Sequence, residues 1–119
     1  AGCKKTHWMW FVFPQLIGLG KSPVSQYFGI KDLSHAERYI SDSLLGKRLL
    51  DNIEIVTSHE RKSALEIFGS PDDDKFRSCI TLFREAGHNF TNSCVFTAAL
   101  EQFYEGRPDE QTLKLLGHC

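Results

Sequence analysis

The sequence predicts an all-α fold. Apolar residues recur at helical spacing, N-cap residues precede several of these stretches, and glycines follow most of them. Glycine is preferred just beyond the last turn of a helix because it adopts a positive φ without strain. Five glycines punctuate the chain, mostly in such positions: Gly46, Gly69, Gly87, Gly106 and Gly117. No segment has the alternating pattern of a strand, so we expect consecutive helices and no sheet.

Start signals place the helices along the chain. Ser34 and Glu37 have the spacing of a capping box. Ser70-Pro71-Asp72-Asp73 puts a cap, a first-turn proline and acidic residues in order, and Pro108-Asp109-Glu110 opens a later helix. The predicted helices span residues 6–13, 34–41, 43–58, 62–68, 71–86, 91–105 and 108–116.

Two of these helices are predicted to present an apolar face to a core. Both faces follow the i, i+3, i+4, i+7 spacing of an amphipathic helix. In the helix at 71–86 the face consists of Phe76, Cys79, Ile80 and Phe83. In the helix at 91–105 it consists of Val95, Ala98, Ala99 and Phe103.

Length and composition predict one compact domain over residues 1–119, with 41% hydrophobic and 24% charged residues. The net charge is −1 and the basic residues are scattered, which argues against binding to nucleic acid. No apolar run approaches the roughly 20 residues that span a bilayer, and the residues before Cys3 do not form a signal peptide. We therefore expect a cytoplasmic protein without membrane contact.

The cysteines and acidic clusters do not predict a metal site or a cofactor. The four cysteines lack CxxC spacing and have no histidine at zinc-ligand spacing. Cys79 and Cys94 lie in apolar helical patterns, where we expect buried free thiols. The acidic run 72–74 is explained by the helix dipole in preference to a divalent cation. The charged segment 59–62 is explained as a solvated connection in preference to an acid–base pair.

The segment from Thr6 to Gln15 has the highest density of large side chains. It holds both tryptophans, the single methionine and two of the nine phenylalanines. Its polar members, His7 and Gln15, need hydrogen-bond partners if they are buried. Pro14 is expected to end the aromatic helix, and the long loop from Pro14 to Leu33 contains three glycines and two prolines.

Folding of this loop back onto the aromatic segment would bring together an imidazole, an amide, an ammonium group and hydroxyls beside an indole ring. Such a set suits a phosphate or carboxylate ligand. The candidate ligand-binding residues are His7, Trp10, Gln15, Lys21, Ser22 and Tyr27. The alternative is that His7 and Gln15 only satisfy backbone groups near a buried helix. Gly18-Leu19-Gly20-Lys21-Ser22 lacks the first glycine and the preceding strand of a P-loop, so a Walker motif is excluded.

Four motifs resemble the bacterial domain of unknown function 1810 family. In this sequence they are Thr-His-Trp-Met-Trp-Phe-Val-Phe-Pro-Gln from Thr6, Gly-Leu-Gly-Lys-Ser-Pro from Gly18, Leu-Gly-Lys-Arg-Leu from Leu45, and Ile-Phe-Gly-Ser-Pro-Asp-Asp from Ile67. Gly106-Arg107-Pro108-Asp109, Thr112-Leu113 and Leu116-Gly117 extend the resemblance to the C-terminal end. Some relatives are called calpastatin, which we regard as a mistaken transfer.

The resemblance implies a compact multihelical fold with a short buried central helix, which we place at His7 to Phe13. It implies no established activity and supplies no catalytic residues. Relatives usually have a further helix before the position of His7, so this chain is expected to lack that helix. An aromatic segment left uncovered in this way predicts a homodimer or an exchange of elements between protomers.

Two functional hypotheses follow from the sequence. The first is a domain that binds a small anionic or nucleotide-like ligand beside Trp8 and Trp10. Whether the protein is an enzyme stays open, since no motif selects a reaction. His7 is the best candidate for a catalytic acid or base, because an ordinary imidazole pKa suits proton transfer near neutral pH. The alternative is a non-catalytic protein-interaction module, or a structural homodimer, with no small-molecule site.

Overall fold

The computed structural model describes residues 13–16, 29–70, 72–87 and 94–117. Helices account for 69% of these residues, and none of them belongs to a strand. The described helices are α1 (Leu33–Ser41), α2 (Leu45–Thr57), α3 (Ala64–Phe68), α4 (Asp72–Ala86), α5 (Cys94–Tyr104) and α6 (Glu110–Leu115). The all-α prediction is confirmed. The predicted helix at 6–13 lies outside the described residues except for Phe13, which is not helical.

The structure moves two of the predicted helix starts. The cap of α1 is Asp32, whose carboxylate accepts a hydrogen bond from the His35 backbone N–H at 2.8 Å. The capping box predicted at Ser34 is therefore wrong, because Ser34 already lies within the first turn. A capping box does form at α3, where Ser63 and Glu66 bond reciprocally at 3.1 and 2.9 Å.

The helix α4 lies at the centre of the described part of the chain. It packs against α1, α3, α5 and α6. The face predicted for it is confirmed, since its four residues are fully buried. Burial extends well beyond that face to Ser78, Thr81 and Leu82. Both hydroxyls bond to carbonyls four residues earlier, those of Asp74 and Arg77, so the helix satisfies its own buried polar groups.

The helix α5 is rotated relative to its prediction. Its buried residues are Phe96, Ala99 and Leu100, whereas Ala98 is exposed. The prediction for Ala98 is wrong because α5 contacts both α4 and α2, and Phe96 and Leu100 supply buried side chains that the predicted face did not include. Cys94, the first residue of α5, is also exposed, which corrects the expected burial of its thiol.

One cluster of buried side chains connects the helices. It includes residues of α1, α2, α4 and α5, together with Phe13, Leu16 and Ile30 from the segments that precede α1. None of the helices among the described residues is both long and apolar enough to span a bilayer.

Candidate functional site

Gln15 is the one predicted ligand-binding residue that falls within the described residues. The others, His7, Trp10, Lys21, Ser22 and Tyr27, lie outside them. Gln15 belongs to a short segment, residues 13–16, in which every residue is buried. The position of Gln15 therefore provides the structural information on the predicted site.

Backbone pairing fixes this short segment beside the residues that precede α1. The Ile30 N–H donates to the Gln15 carbonyl at 2.7 Å, and Leu16 forms an isolated parallel bridge with Ile30. Leu16 and Ile30, which are 14 residues apart in the chain, are thus neighbours in space. This pairing holds the Gln15 backbone in place and leaves its side chain to be satisfied separately.

Aromatic rings surround the start of the same segment. The Phe13 ring lies edge-on to the Phe68 ring at 5.8 Å and to the Phe76 ring at 4.9 Å, measured between ring centroids. The Phe68 and Phe76 rings are also 4.9 Å apart. Such contacts stabilise the core beyond the area they bury. Gln15 therefore follows, two positions later in the chain, a phenylalanine that packs in an apolar cluster with α3 and α4.

The side chain of Gln15 is an unusual feature of this interior. The residue is 2% exposed, and its Nε2 atom has no hydrogen-bond partner among the described residues. Leaving a buried donor unsatisfied costs about 1–3 kcal/mol. Unpaired buried donors are rare in native proteins, and each calls for a specific explanation. A bound molecule that offers an acceptor to this amide would remove the cost.

The acidic start of α4 differs from the solvated first turn that the helix dipole alone would suggest. Asp72 to Asp74 do occupy the first turn. Asp72, however, is 1% exposed, and its Oδ1 atom lies 3.4 Å from the Lys75 Nζ atom. Burial raises the pKa of Asp74, and the charge of Asp73 adds to this effect. In the part of the chain that the structure describes, no group of His, Cys, Asp and Glu side chains could hold a metal ion.

The remaining sequence candidates behave as surface or core residues. Residues 59–62 are all exposed, in agreement with a solvated connection between α2 and α3. Cys79 is fully buried and free, and burial raises the pKa of its thiol well above the usual value. A thiol in that state is a poor nucleophile.

A cleft between α4 and α6 was not predicted from the sequence. Its lining includes Arg77, Arg107 and Lys114, which are 30 and 7 residues apart along the chain. No local pattern connects such positions, and the charge run that marks a basic patch is absent. Only the packing of α6 on α4 brings them to one place.

Comparison with known proteins supports the fold and the family. A solved structure titled as the conserved hypothetical protein Rv1873 from Mycobacterium tuberculosis is 43% identical to this chain. The match covers 99% of this chain and 82% of that protein, with a TM-score of 0.89. None of the curated proteins matches the chain.

The family model described as "Protein of unknown function (DUF1810)" matches residues 1–116. That range includes every helix described above, and it agrees with the resemblance carried by the motifs from Thr6 to Gly117. The chain therefore belongs to the DUF1810 family.

Proposed function

We propose that this protein binds a small anionic or nucleotide-like molecule beside the aromatic segment that contains Trp8 and Trp10. Gln15 is the polar contact for which the described residues provide support. In this proposal His7, Lys21, Ser22 and Tyr27 supply the other polar groups, and Trp10 stacks on a planar part of the ligand.

The observation that carries the proposal is the buried side chain of Gln15, whose Nε2 atom has no hydrogen-bond partner in the part of the chain that the structure describes. Its Nε2 atom is buried, and a hydrogen bond in a buried site is stronger than one in water. A carbonyl, carboxylate or phosphate oxygen of a ligand would accept from them. Binding would then relieve a penalty present in the free protein, so Gln15 would contribute to affinity more than to stability.

Gln15→Met separates a binding role from a structural role. Methionine has a similar length and shape but no donor, so the free protein should be as stable as the wild type or more stable by about 1 kcal/mol. The matched control is Thr81→Val. The Thr81 hydroxyl donates to the Arg77 carbonyl at 2.8 Å and accepts from the Asp109 N–H at 2.9 Å. Its loss should cost about 1–3 kcal/mol.

Ligand binding itself is tested in two steps. Native mass spectrometry of the purified wild type should show a retained small molecule, and nucleoside monophosphates should raise its unfolding temperature. Gln15→Met should lose both responses, whereas Thr81→Val should keep them. A Gln15→Met protein that is destabilised and still responds fully would contradict the proposal.

The catalytic role of His7 is a separate part of the proposal. If a turnover is found with a retained ligand, His7→Gln should abolish it, because glutamine cannot exchange a proton near neutral pH. Unchanged turnover in this variant would exclude His7 as the acid or base.

A protein-interaction surface, including a homodimer, is the second candidate function. Leu44 and Ile55 are 54% and 60% exposed, and Leu65 is 55% exposed. Leu44 directly precedes α2 as its N-cap, and the spacing of 11 residues to Ile55, about three turns, favours one side of the helix for both. Sedimentation velocity should show twice the 13.6 kDa chain mass, and Ile55→Lys should return the protein to a monomer. A monomer at every concentration would exclude the homodimer.

A further inference from the structure

The cleft between α4 and α6 combines cations from three separate parts of the chain. It has a volume of about 510 Å³. Arg77 comes from α4, Arg107 from the connection after α5, and Lys114 from the last turn of α6. Asp109 and Glu110 also line it. The lining thus carries three positive and two negative charges.

Arg77 is held in position from two sides. Its Nε–H donates to the Arg107 carbonyl at 2.9 Å, and its guanidinium carbon lies 5.3 Å from the centre of the Tyr104 ring. The Tyr104 hydroxyl in turn donates to the Asp73 carbonyl. The two terminal amino groups of Arg77 make no hydrogen bond to any described residue. The half-buried Arg77 guanidinium is therefore held in one position, while its two terminal amino groups have no acceptor among the described residues.

The acidic residues of the cleft offset its positive charge only in part, and none of them forms a close ion pair with these cations. The Asp109 carboxylate is engaged elsewhere, because its Oδ2 atom accepts from the Thr112 N–H at 2.9 Å and from the Thr112 hydroxyl at 2.7 Å. Lys114 has no carboxylate within ion-pair distance among the described residues. Arg107 has one long contact, 3.8 Å to Glu105, in which both side chains are exposed. Such a pair contributes little.

We propose that this cleft binds the dianionic phosphate group of a small molecule, at a site separate from that of Gln15. Two guanidinium groups and one ammonium group match the charge of a phosphate near neutral pH better than the single charge of a carboxylate. The fixed Arg77 offers directed donors, and Lys114 adds a mobile point charge. The Glu110 carboxylate repels the phosphate, so the affinity for inorganic phosphate is expected to be lower than for a larger ligand that makes further contacts.

Nuclear magnetic resonance with inorganic phosphate tests the site. Phosphate is titrated into the ¹⁵N-labelled full chain against sodium chloride of equal ionic strength. Phosphate alone should give saturable shifts at the Arg77 Nε–H and at the backbone amides of Asp109 to Gln111. Shifts that chloride reproduces would overturn the proposal, because they would report ionic strength only.

Charge variants provide the second test. The exposed pair of changes Arg107→Gln with Lys114→Gln should weaken phosphate binding about a hundredfold, since each of the two lost charge-assisted contacts is worth about 1.5 kcal/mol, or about tenfold. The control pair Lys31→Gln with Lys62→Gln removes the same charge outside the cleft and should change affinity less than twofold. Glu110→Gln should strengthen binding severalfold. Equal affinity in the cleft pair and the control pair, or no gain from Glu110→Gln, would also overturn the proposal.

Phosphate binding in the cleft can be tested separately from ligand binding at Gln15. Gln15→Met should leave the phosphate shifts at Arg77 unchanged, and the cleft variants should leave any retained ligand beside the aromatic segment in place. Loss of the Arg77 shifts in Gln15→Met would show that phosphate binds at one shared site, which contradicts a separate cleft.

Discussion

Glu105 directly follows α5 and has a backbone conformation that residues other than glycine rarely adopt. Its φ is 57°, and the φ of the following Gly106 is 79°. The Gly106 N–H donates to the Leu100 carbonyl, six positions earlier in the chain, at 2.9 Å, and so satisfies a carbonyl near the end of α5. The helix ends at Tyr104, two residues before the glycine that marks its end in the sequence. Glu105 bears the strain at that position.

Glu105→Gly should stabilise the protein by about 0.5–1 kcal/mol. The left-handed conformation costs a non-glycine residue about 1–2 kcal/mol, and the greater freedom of glycine in the unfolded chain offsets part of the gain. The exposed contact to Arg107 is a negligible loss. Urea unfolding measures the change. The control Glu37→Gly, within α1, should destabilise by about 0.5–1 kcal/mol, and a fall in both variants would contradict the prediction.

Tyr39 makes stability sensitive to alkaline pH. Burial is the main cause that raises its pKa from 10.0 to about 12, and burial also raises the pKa of Tyr104. The folded state holds the proton that the unfolded chain releases above pH 10. The contribution to stability is therefore complete below pH 10 and is lost as the pH rises to about 12.

Urea unfolding between pH 8 and pH 12 should show this loss, and Tyr39→Phe should reduce it. Phenylalanine keeps the contact with the Phe83 ring, whose centroid is 5.5 Å from that of Tyr39. Parallel curves for the two proteins above pH 10 would show that Tyr39 ionises normally in the folded state.

The junction of α1 and α2 depends on one glycine. A Cβ atom at Gly46 would lie 2.1 Å from the Ile40 backbone oxygen, a distance that the two helices do not allow. Gly46 is the second residue of α2 and lies within the helix predicted at 43–58. Asp42 starts this helix by accepting from the N–H groups of Leu44 and Leu45, each at 2.9 Å. These bonds lower the pKa of Asp42.

Gly46→Ala should destabilise the protein by about 1–3 kcal/mol, since the added methyl group forces the backbone of α1 to move. The sign is diagnostic, because the same change in an open helix stabilises by about 1 kcal/mol. Thermal unfolding monitored by circular dichroism provides the measurement. The neighbouring exposed Lys47→Ala should change stability by less than about 0.5 kcal/mol. A stabilised Gly46→Ala would show that α1 and α2 pack less closely.

At the scale of the whole molecule, α4 connects most of the described structure. Its side chains contact four other helices, and its first turn holds the buried Asp72. Three long-range hydrogen bonds connect residues along α4 to the C-terminal part of the chain. They run from Arg77 to Arg107, from Tyr104 to Asp73 and from Asp109 to Thr81. A change in α4 should therefore be felt across several elements at once.

The single domain predicted for residues 1–119 should unfold in one transition. Far-ultraviolet circular dichroism reports the helices, and tryptophan fluorescence reports Trp8 and Trp10 in the aromatic segment. The two signals should give the same urea midpoint. A lower midpoint for fluorescence would show that the aromatic segment opens independently of the helices, which would contradict a single cooperative unit.

The sequence by itself determined the all-α class, the approximate bounds of the six described helices and the apolar face of α4. These properties depend on interactions between residues three or four positions apart, such as caps, glycines at helix ends and helical periodicity. A local sequence pattern is therefore sufficient to predict them. Even so, caps were misplaced where two suitable side chains stood close together. Asp32 and Ser34 are both good N-cap residues, and only the structure shows that Asp32 accepts the hydrogen bond from the His35 N–H.

The tertiary structure alone decided which side chains are close in space. The sequence singled out Gln15 as polar, but only the packing of the segment 13–16 beside Ile30 left its amide buried without a partner in the described residues. The same holds for the near contact at Gly46, the exposure of Cys94 and the cleft at Arg77. These features arise between elements, where the position of one side chain depends on how distant helices pack, and no local pattern encodes that arrangement.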